Sequence, residues 1–375
     1  MKRLISTPAS RPRTAPGKSF WPTPCPARKH SHRGTDAKKA NDLTLQMRRR
    51  APLKTIPDTL HPTPCLQFTS LLDDLIPGLA HHHRHSNSGG NSGRQAPVVL
   101  PQGAHLVYFP PLQPASLLAP DGADADHVPP DFGPLAPTWH GSTGGNGGGR
   151  RLWAGGEVIF RDGWQREAVA DGRAWMCREE IAGARALGGG RRIVDVVRRY
   201  GPGGVAFVEE RRTLAFVPGP GAGAEAAGEE MPRTKMMKPT LTATRRHILT
   251  PTPAHLFHFS ALTYNAHFIH LHPAAALVHG PLLLALMLRV LTSGPPSSSS
   301  FSSSSSSSSF EDVSDAPARQ GQGRSVRSIA YRNLAPLYVG RPLTVCVRED
   351  GGEKVDVWVE GDEGGVAVKG RAVMI

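Results

Sequence analysis

The chain has 375 residues and a formal charge of +13 at pH 7, from 44 Lys and Arg against 31 Asp and Glu. Residues 1–57 carry fourteen of the basic residues and two of the acidic ones, so the other 318 positions are nearly neutral. A nucleic-acid-binding surface needs basic residues clustered in the folded part of the chain. Only short Arg pairs occur there, which argues against that class of protein.

The cysteines and the apolar runs restrict the class further. Cys25, Cys65, Cys177 and Cys346 are far apart and form no Cys-x-x-Cys pair. This spacing argues against a disulfide framework and against a thiolate zinc site. The longest apolar run, 281–288, is far shorter than the roughly twenty residues that span a bilayer. We therefore expect a protein without a membrane span, in a reducing compartment.

The N-terminal region, residues 1–57, is basic, carries Ser and Thr and is poor in acids. This composition is typical of a mitochondrial transit peptide. Several prolines restrict any amphipathic helix there to its first turn or two, and a disordered basic tail without a targeting role is the alternative. We expect a disordered presequence over 1–57 and a location in the mitochondrial matrix.

A first folded domain is predicted over residues 58–217. Its first element is a helix, because apolar side chains recur at helical spacing from Phe68 until Pro77 stops the pattern. From residue 102 onward, short β-prone runs alternate with Gly and Pro, which indicates one antiparallel sheet. Gly-, Ala- and Glu-rich and then basic sequence over 218–248 is typical of an interdomain linker.

The second predicted domain covers residues 249–375. Residues 281–291 are almost all apolar, as expected of a helix that is surrounded on most sides. After it, the segment 354–360 alternates Val with polar or larger residues, the period of a half-buried strand. Between helix and strands, the Ser-rich segment 295–322 is predicted to be a disordered loop. The expected class is therefore α+β, with an antiparallel sheet around one helix.

The candidate site lies at the start of this domain. Asn265, His267 and His270 are spaced by two and three residues, and Gly280 and Pro281 follow them at the start of the apolar helix. A proton-transfer group beside a helix N-terminus can deprotonate the carbon next to a carbonyl, while backbone N–H groups hold the developing oxyanion. No thiolate or well-placed carboxylate completes a zinc site with these histidines, so we predict neither a metal nor a cofactor.

These motifs resemble the MaoC-like hot-dog hydratases and dehydratases of acyl thioesters. Within that family the chain is similar to the fungal mitochondrial 3-hydroxyacyl-thioester dehydratases of type 2 and to mesaconyl-CoA hydratase-like proteins. The similar segments, in the family's order, are 106–111, 151–156, 259–263, 265–270, 279–282, 332–338, 355–361 and 366–370. The resemblance implies a double hot dog, in which antiparallel sheet wraps around a central helix, with a degenerate N-terminal repeat.

The resemblance also implies a role for each candidate residue. His270 occupies the position of the general base, and imidazole can both remove and return a proton near neutral pH. Asn265 can orient a hydroxyl but cannot shuttle a proton. Gly280 would offer its N–H to the thioester oxygen. His267 and His279 are expected to bind substrate.

Two features separate this chain from the family pattern. Position 268 is Phe where a polar residue is usual, and the eight residues between His270 and His279 form a shorter segment than is usual. An error in the gene model or a loss of activity would each explain the short segment.

The expected function is an (R)-3-hydroxyacyl-thioester dehydratase or enoyl-thioester hydratase in mitochondrial fatty-acid synthesis. Its substrate would be carried on acyl carrier protein or CoA, and the protein could form a homodimer. One alternative is a mesaconyl-CoA-type hydratase, for which Arg332 is the obvious cation to hold the free carboxylate. Another is a non-catalytic hot-dog module that binds acyl groups or a partner.

Overall fold

The computed structural model describes residues 33–79, 98–136, 148–219, 236–271, 276–293 and 324–375. Its helices are α1 (Arg33–Arg50), α2 (Pro62–Leu75), α3 (Trp164–Glu167), α4 (Pro253–Leu262) and α5 (Gly280–Thr292). Its strands are β1 (Lys54–Thr59), β2 (Val98–Val99), β3 (Arg150–Phe160), β4 (Val169–Ala170), β5 (Ala174–Ala186), β6 (Arg192–Gly201), β7 (Val208–Val217), β8 (Arg245–Leu249), β9 (Val326–Asn333), β10 (Leu343–Glu349), β11 (Lys354–Glu360) and β12 (Val366–Met374).

Ten of the described strands form one antiparallel sheet, in the order β1-β5-β6-β7-β3-β9-β12-β11-β10-β8. The strands through β7 form an N-terminal half and those from β8 onward form a C-terminal half. The two halves join where β3 pairs with β9, with Val158 opposite Ile329. The predicted sheets are therefore two parts of one continuous sheet, as in a double hot dog.

Helix α5 is the central helix, as the apolar run at 281–291 predicts. All its side chains from Leu282 to Leu291 are buried, and the apolar ones belong to a core shared with α2 and with strands of both halves. Pro281 favours helix initiation because its fixed φ suits the first turn, where its missing N–H is not needed. Arg289, inside the helix, pairs with Asp73 of α2. None of the described helices has the length and apolar character needed to cross a membrane.

The prediction of a disordered presequence over 1–57 is wrong for residues 33–57, which contain α1 and most of β1. Leu43 and Met47 of α1 are buried in a second apolar cluster that includes Val194 and Phe216 of the neighbouring strands. Composition alone does not reveal this contact, because the basic residues of α1 give the segment the charge of a targeting sequence. Residues 1–32 lie outside the described residues.

The predicted linker at 218–248 also requires correction. Strand β8 begins at Arg245 and pairs with β10, with Leu249 opposite Leu343. The residues of β8 alternate in exposure, as expected of a strand at the edge of a sheet. Their basic character therefore belongs to an edge strand and not to an interdomain linker. The predicted disordered loop at 295–322 lies outside the described residues.

Candidate active site

A cavity of about 540 Å³ lies between the two halves of the protein. Its C-terminal wall includes Asn265, His267, His270 and Gly280, which follow α4 and begin α5. The structure therefore brings these four predicted residues together. Its N-terminal wall comes from the strands β3, β5, β6 and β7 and from the loop before β3.

His270 ends a short 3-10 turn, Phe268–His270, and lines the cavity. Its Nδ1 donates a hydrogen bond to the backbone oxygen of Leu277, 2.7 Å away. Since that oxygen can only accept, Nδ1 carries the ring proton of the neutral imidazole and Nε2 carries the lone pair. Nε2 is therefore the nitrogen that can act as a base.

Burial keeps His270 uncharged. Loss of solvent, followed by the field of the nearby His267, lowers the pKa of His270 to about 3, and the hydrogen bond to Leu277 only partly opposes this. Burial disfavours the charged imidazolium because it removes the ion from water. His270 is thus neutral at physiological pH, in the form a general base requires.

His279 supports His270 and does not contact the cavity. Its ring stacks on that of His270, with centroids 3.7 Å apart, and its Nε2 lies 2.8 Å from Ser260 Oγ. His279 is completely buried and is not among the cavity-lining residues. The prediction that it binds substrate is therefore corrected: its ring fixes the plane of the His270 imidazole.

His267 is linked to a carboxylate that the sequence analysis missed. Its Nε2 lies 3.4 Å from Asp121 Oδ2, and Asp121 accepts two hydrogen bonds from Arg151, of 3.0 and 2.9 Å. Burial opposes ionisation of Asp121, but His267 and Arg151 outweigh it and lower its pKa to about 2. The sequence signal that could have indicated this carboxylate is the series of acidic residues at 121, 124 and 126, which lie in turn-forming sequence.

Asn265 uses its carbonyl oxygen locally. Asn265 Oδ1 accepts a hydrogen bond of 2.9 Å from the backbone N–H of His267, which shapes the turn that leads to His270. Asn265 lines the cavity, and its Nδ2 can donate a hydrogen bond to a substrate oxygen.

Gly280 begins α5, and the first N–H groups of a helix have no partner within the helix. A Cβ at this position would lie 2.7 Å from Trp153 Cγ and 2.9 Å from Asn333 Nδ2. Trp153 is held by a hydrogen bond from its Nε1 to Tyr331 Oη, 2.8 Å long. Glycine is thus required here because the indole of Trp153 occupies the space beside it.

Arg332 does not belong to the site. It is exposed on β9 and is absent from the cavity lining, whereas its neighbour Tyr331 is buried. Adjacent side chains of a strand point to opposite faces of the sheet, so Arg332 faces away from the interior. Its predicted role in substrate binding is corrected accordingly.

One group of described residues has metal-ligand chemistry. The ligand atoms of Asp124, His127 and Glu179 lie within 4.8 Å of one another. However, the ammonium group of Lys54 lies 2.8 Å from Asp124 Oδ2 and 3.9 Å from Glu179 Oε1. Lys54 already pairs with these carboxylates, so the group is better described as an ion-pair cluster in the cavity wall.

The fold and the site together define a hot-dog protein with a buried imidazole, that of His270, in the same cavity wall as the start of its central helix. The sequence pattern of the hydroxyacyl-thioester dehydratase type 2 family matches residues 103–305, just over half of the chain. The chain belongs to this family.

Two relatives and one solved structure illustrate the similarity. The mitochondrial hydroxyacyl-thioester dehydratase type 2 of Schizosaccharomyces pombe is 25% identical over 162 residues, which cover 41% of this chain and only 42% of that protein. Mesaconyl-C(4)-CoA hydratase of Chloroflexus aurantiacus is 26% identical over 294 residues, 72% of this chain and 81% of that protein. A crystal structure of a MaoC-like dehydratase from Phytophthora capsici aligns with a TM-score of 0.49 and 14% identity, over 86% of this chain and 95% of that one.

Proposed function

We propose that this protein is an (R)-3-hydroxyacyl-thioester dehydratase that also runs in reverse as an enoyl-thioester hydratase. The observation that carries the proposal is the position of His270. It is a neutral imidazole with Nδ1 bound to Leu277, in the same cavity wall as Gly280 at the start of α5. The substrates would be thioesters of acyl carrier protein or of CoA.

In the dehydration direction, His270 Nε2 removes the proton from C2 of the 3-hydroxyacyl thioester. The negative charge moves to the thioester oxygen, where the N–H of Gly280 stabilises it. The C3–O bond then breaks, C2=C3 forms, and the protonated imidazole returns its proton to the departing hydroxyl, which leaves as water. General acid–base catalysis of this kind contributes roughly 10²–10⁴ in rate.

Two further side chains would orient the reactants. Asn265 Nδ2 donates a hydrogen bond to the 3-hydroxyl, while its Oδ1 accepts from the backbone N–H of His267. His267, through Asp121, keeps the turn before His270 in place and contacts the His270 ring edge-on, with centroids 5.6 Å apart. Neither side chain moves the proton in this scheme.

The alternative substrate, a dicarboxylyl thioester such as mesaconyl-CoA, would need a cation for its free carboxylate. Arg332 faces away from the interior. Four arginines line the described wall of the cavity: Arg150, Arg151, Arg198 and Arg212. The last three each form an ion pair with a buried carboxylate, and these pairs disfavour a second anion beside them. We therefore prefer a substrate without a free carboxylate and keep the dicarboxylyl thioester as the second candidate.

The proposed location is the mitochondrion, with a role in fatty-acid synthesis there. The basic N-terminal sequence supports this location, as does the printed name of the Schizosaccharomyces pombe relative, which is mitochondrial. Because α1 belongs to the folded protein, the targeting information should lie in residues 1–32. A reporter fused to residues 1–32 should enter mitochondria, and a reporter that stays in the cytosol would contradict the location.

The function is tested by the absorbance change of enoyl thioesters such as crotonyl-CoA. We expect His270→Ala to lower kcat/KM at least 10²-fold, and Asn265→Ala to lower it less, because the amide only orients the hydroxyl. His258→Ala, an exposed histidine of α4, is the matched control and should retain activity. Equal activity in wild type and His270→Ala would remove His270 from the mechanism. Absence of activity in the wild type would favour the non-catalytic module.

A further inference from the structure

The cavity reaches solvent along the segment 334–338, which follows β9. All five residues of this segment line the cavity, and Leu334 is 43% exposed. In the proposed mechanism the thioester reacts inside the cavity, at His270 and Gly280. A folded acyl carrier protein cannot enter a cavity of about 540 Å³. The carrier end of the substrate therefore leaves the cavity at a solvent-exposed part of its wall.

Two arginines lie beside this segment. Arg150, the first residue of β3, lines the cavity itself. The guanidinium carbon of Arg341 lies 5.7 Å from the ring centroid of Tyr338, which is a lining residue. The Arg341 side chain is 53% exposed, so it lies at the boundary between the cavity wall and solvent. Burial raises the pKa of Tyr338 and both arginines oppose that rise, as cations close to a phenol do.

Arg341 is held only weakly by the protein. Its Nη1 lies 3.4 Å from Asp362 Oδ2, a long contact between two partly exposed groups. Exposed ion pairs contribute little to stability and are screened by salt. The three arginines that pair with buried carboxylates elsewhere in the cavity wall differ in this respect, because their partners are shielded from solvent. An anion at the opening can therefore engage Arg341 at small cost.

The chemistry of these cations matches a phosphate. Guanidinium groups bind phosphate oxygens through parallel, charge-assisted hydrogen bonds. Thioesters of CoA and of acyl carrier protein share a phosphopantetheine arm, whose phosphate lies at the end away from the thioester. The rest of the arm is uncharged, so the phosphate is the anionic group that the arm brings to the opening.

We propose that Arg150 and Arg341 form a phosphate subsite at the opening of the cavity, which holds the phosphopantetheine arm of the substrate. The inference rests on the proposed function, because it assumes that the thioester carbonyl lies at Gly280. It assigns recognition of the carrier to two residues that take no part in proton transfer.

The test compares the hydration of crotonyl-pantetheine with that of crotonyl-4′-phosphopantetheine, which differ only in the phosphate. In the wild type the phosphorylated thioester should have a KM at least about tenfold lower, since hydrogen bonds to charged groups are individually worth this much. The difference should narrow as the salt concentration rises. In Arg150→Met/Arg341→Met the two thioesters should have equal KM values.

Two further variants keep the test decisive. Arg341→Met alone, at an exposed position, should reduce the difference and serves if the double variant does not fold. Arg332→Met is the matched control, because Arg332 is an exposed arginine that faces away from the interior, and it should preserve the difference.

The two carriers are distinguished with crotonyl-CoA and crotonyl-acyl carrier protein. In the double variant, a rise in KM for one of them alone would support the subsite and assign its phosphate to that carrier. A rise for both would support a subsite that serves both carriers. A rise for neither would overturn it.

Equal KM values for the two pantetheine thioesters in the wild type would also overturn the subsite, as would a folded double variant that keeps the difference. If the protein hydrates neither thioester, calorimetry with butyryl-pantetheine and butyryl-4′-phosphopantetheine decides. Tighter binding of the phosphorylated form would then support the subsite and refute the proposed function. Equal binding, or no binding of either form, would overturn the subsite as well.

Discussion

The three histidines of the site are close together, yet each is held by a different partner. His270 donates to a backbone oxygen, His279 shares a hydrogen bond with a serine, and His267 faces a carboxylate. Burial lowers the pKa of all three. Neutral histidines so close together avoid mutual charge repulsion. The partner of each ring nitrogen determines which nitrogen carries the proton and which one keeps its lone pair.

This burial predicts how stability depends on pH. The pKa of His270 is lowered to about 3 and that of His105 to about 4, whereas unfolded histidines protonate near pH 6.5. Between these values the unfolded chain binds more protons, so acid favours unfolding. The free energy of unfolding should be fully retained above pH 6.5 and should fall toward pH 4.5, by about 1.4 kcal/mol per pH unit for each such histidine.

Urea denaturation at pH 7.5, 6 and 5 measures this dependence. His270→Asn should reduce the slope by about one proton, because the amide can still donate to Leu277 but does not titrate. His258→Asn, on an exposed histidine, is the control and should preserve the slope. An unchanged slope in His270→Asn would show that this imidazole titrates normally in the folded protein.

Among the secondary-structure elements, α1 is the one that departs most from the prediction of a disordered N-terminal region. Arg48 Nε donates to the backbone oxygen of Ile181 at 2.8 Å, and Thr44 Oγ1 accepts from the N–H of Ala184 at 2.9 Å. Polar residues of α1 therefore form hydrogen bonds with β5, while Leu43 and Met47 pack in the second apolar cluster. The helix covers the outer face of the sheet and belongs to the folded unit.

Substitutions within α1 test this docking. Met47 is completely buried and Leu45 is 51% exposed on the same helix. Met47→Ala should lower the free energy of unfolding by about 2–5 kcal/mol, the usual cost of removing a buried side chain of this size. Leu45→Ala should cost much less. Chemical denaturation measures both, and equal effects would show that α1 does not dock on the sheet.

At the scale of the whole molecule, the two halves share both their sheet and their core. Strands β3 and β9 pair across the boundary, and the core around α5 includes Phe160 from one half and Val357 from the other. The cavity wall also comes from both halves. The shape of the cavity therefore depends on the β3–β9 contact.

This shared core predicts a single unfolding transition for both halves. Ile329→Ala, at a completely buried position opposite Val158, should lower the unfolding midpoint by the same amount in β6 and in β11. Hydrogen exchange resolves the two strands separately during denaturation. Arg327→Ala, an exposed change on the same strand, is the control. A shift confined to β11 would mean that the halves unfold independently.

The sequence by itself determined the features that depend on neighbouring residues. The apolar run after Gly280 and Pro281 predicts α5, and the alternation over 354–360 predicts β11. Asn265, His267 and His270, which their spacing singles out, line one cavity wall, and their roles stay predictions. The predictions of α5 and β11 succeed because helix and strand periodicity are set by local backbone geometry.

Only the tertiary structure decided which distant residues complete the site. Asp121 reaches His267 from the other half of the chain, and Trp153 occupies the space beside Gly280. The face of β9 that points inward excludes Arg332, and the docking of α1 depends on an apolar cluster formed by strands far away in sequence. These contacts follow from the register of β3 against β9 and from packing of the shared core. The register of β3 against β9 and the packing of the shared core cannot be read from neighbouring residues, because they bring together residues more than a hundred positions apart.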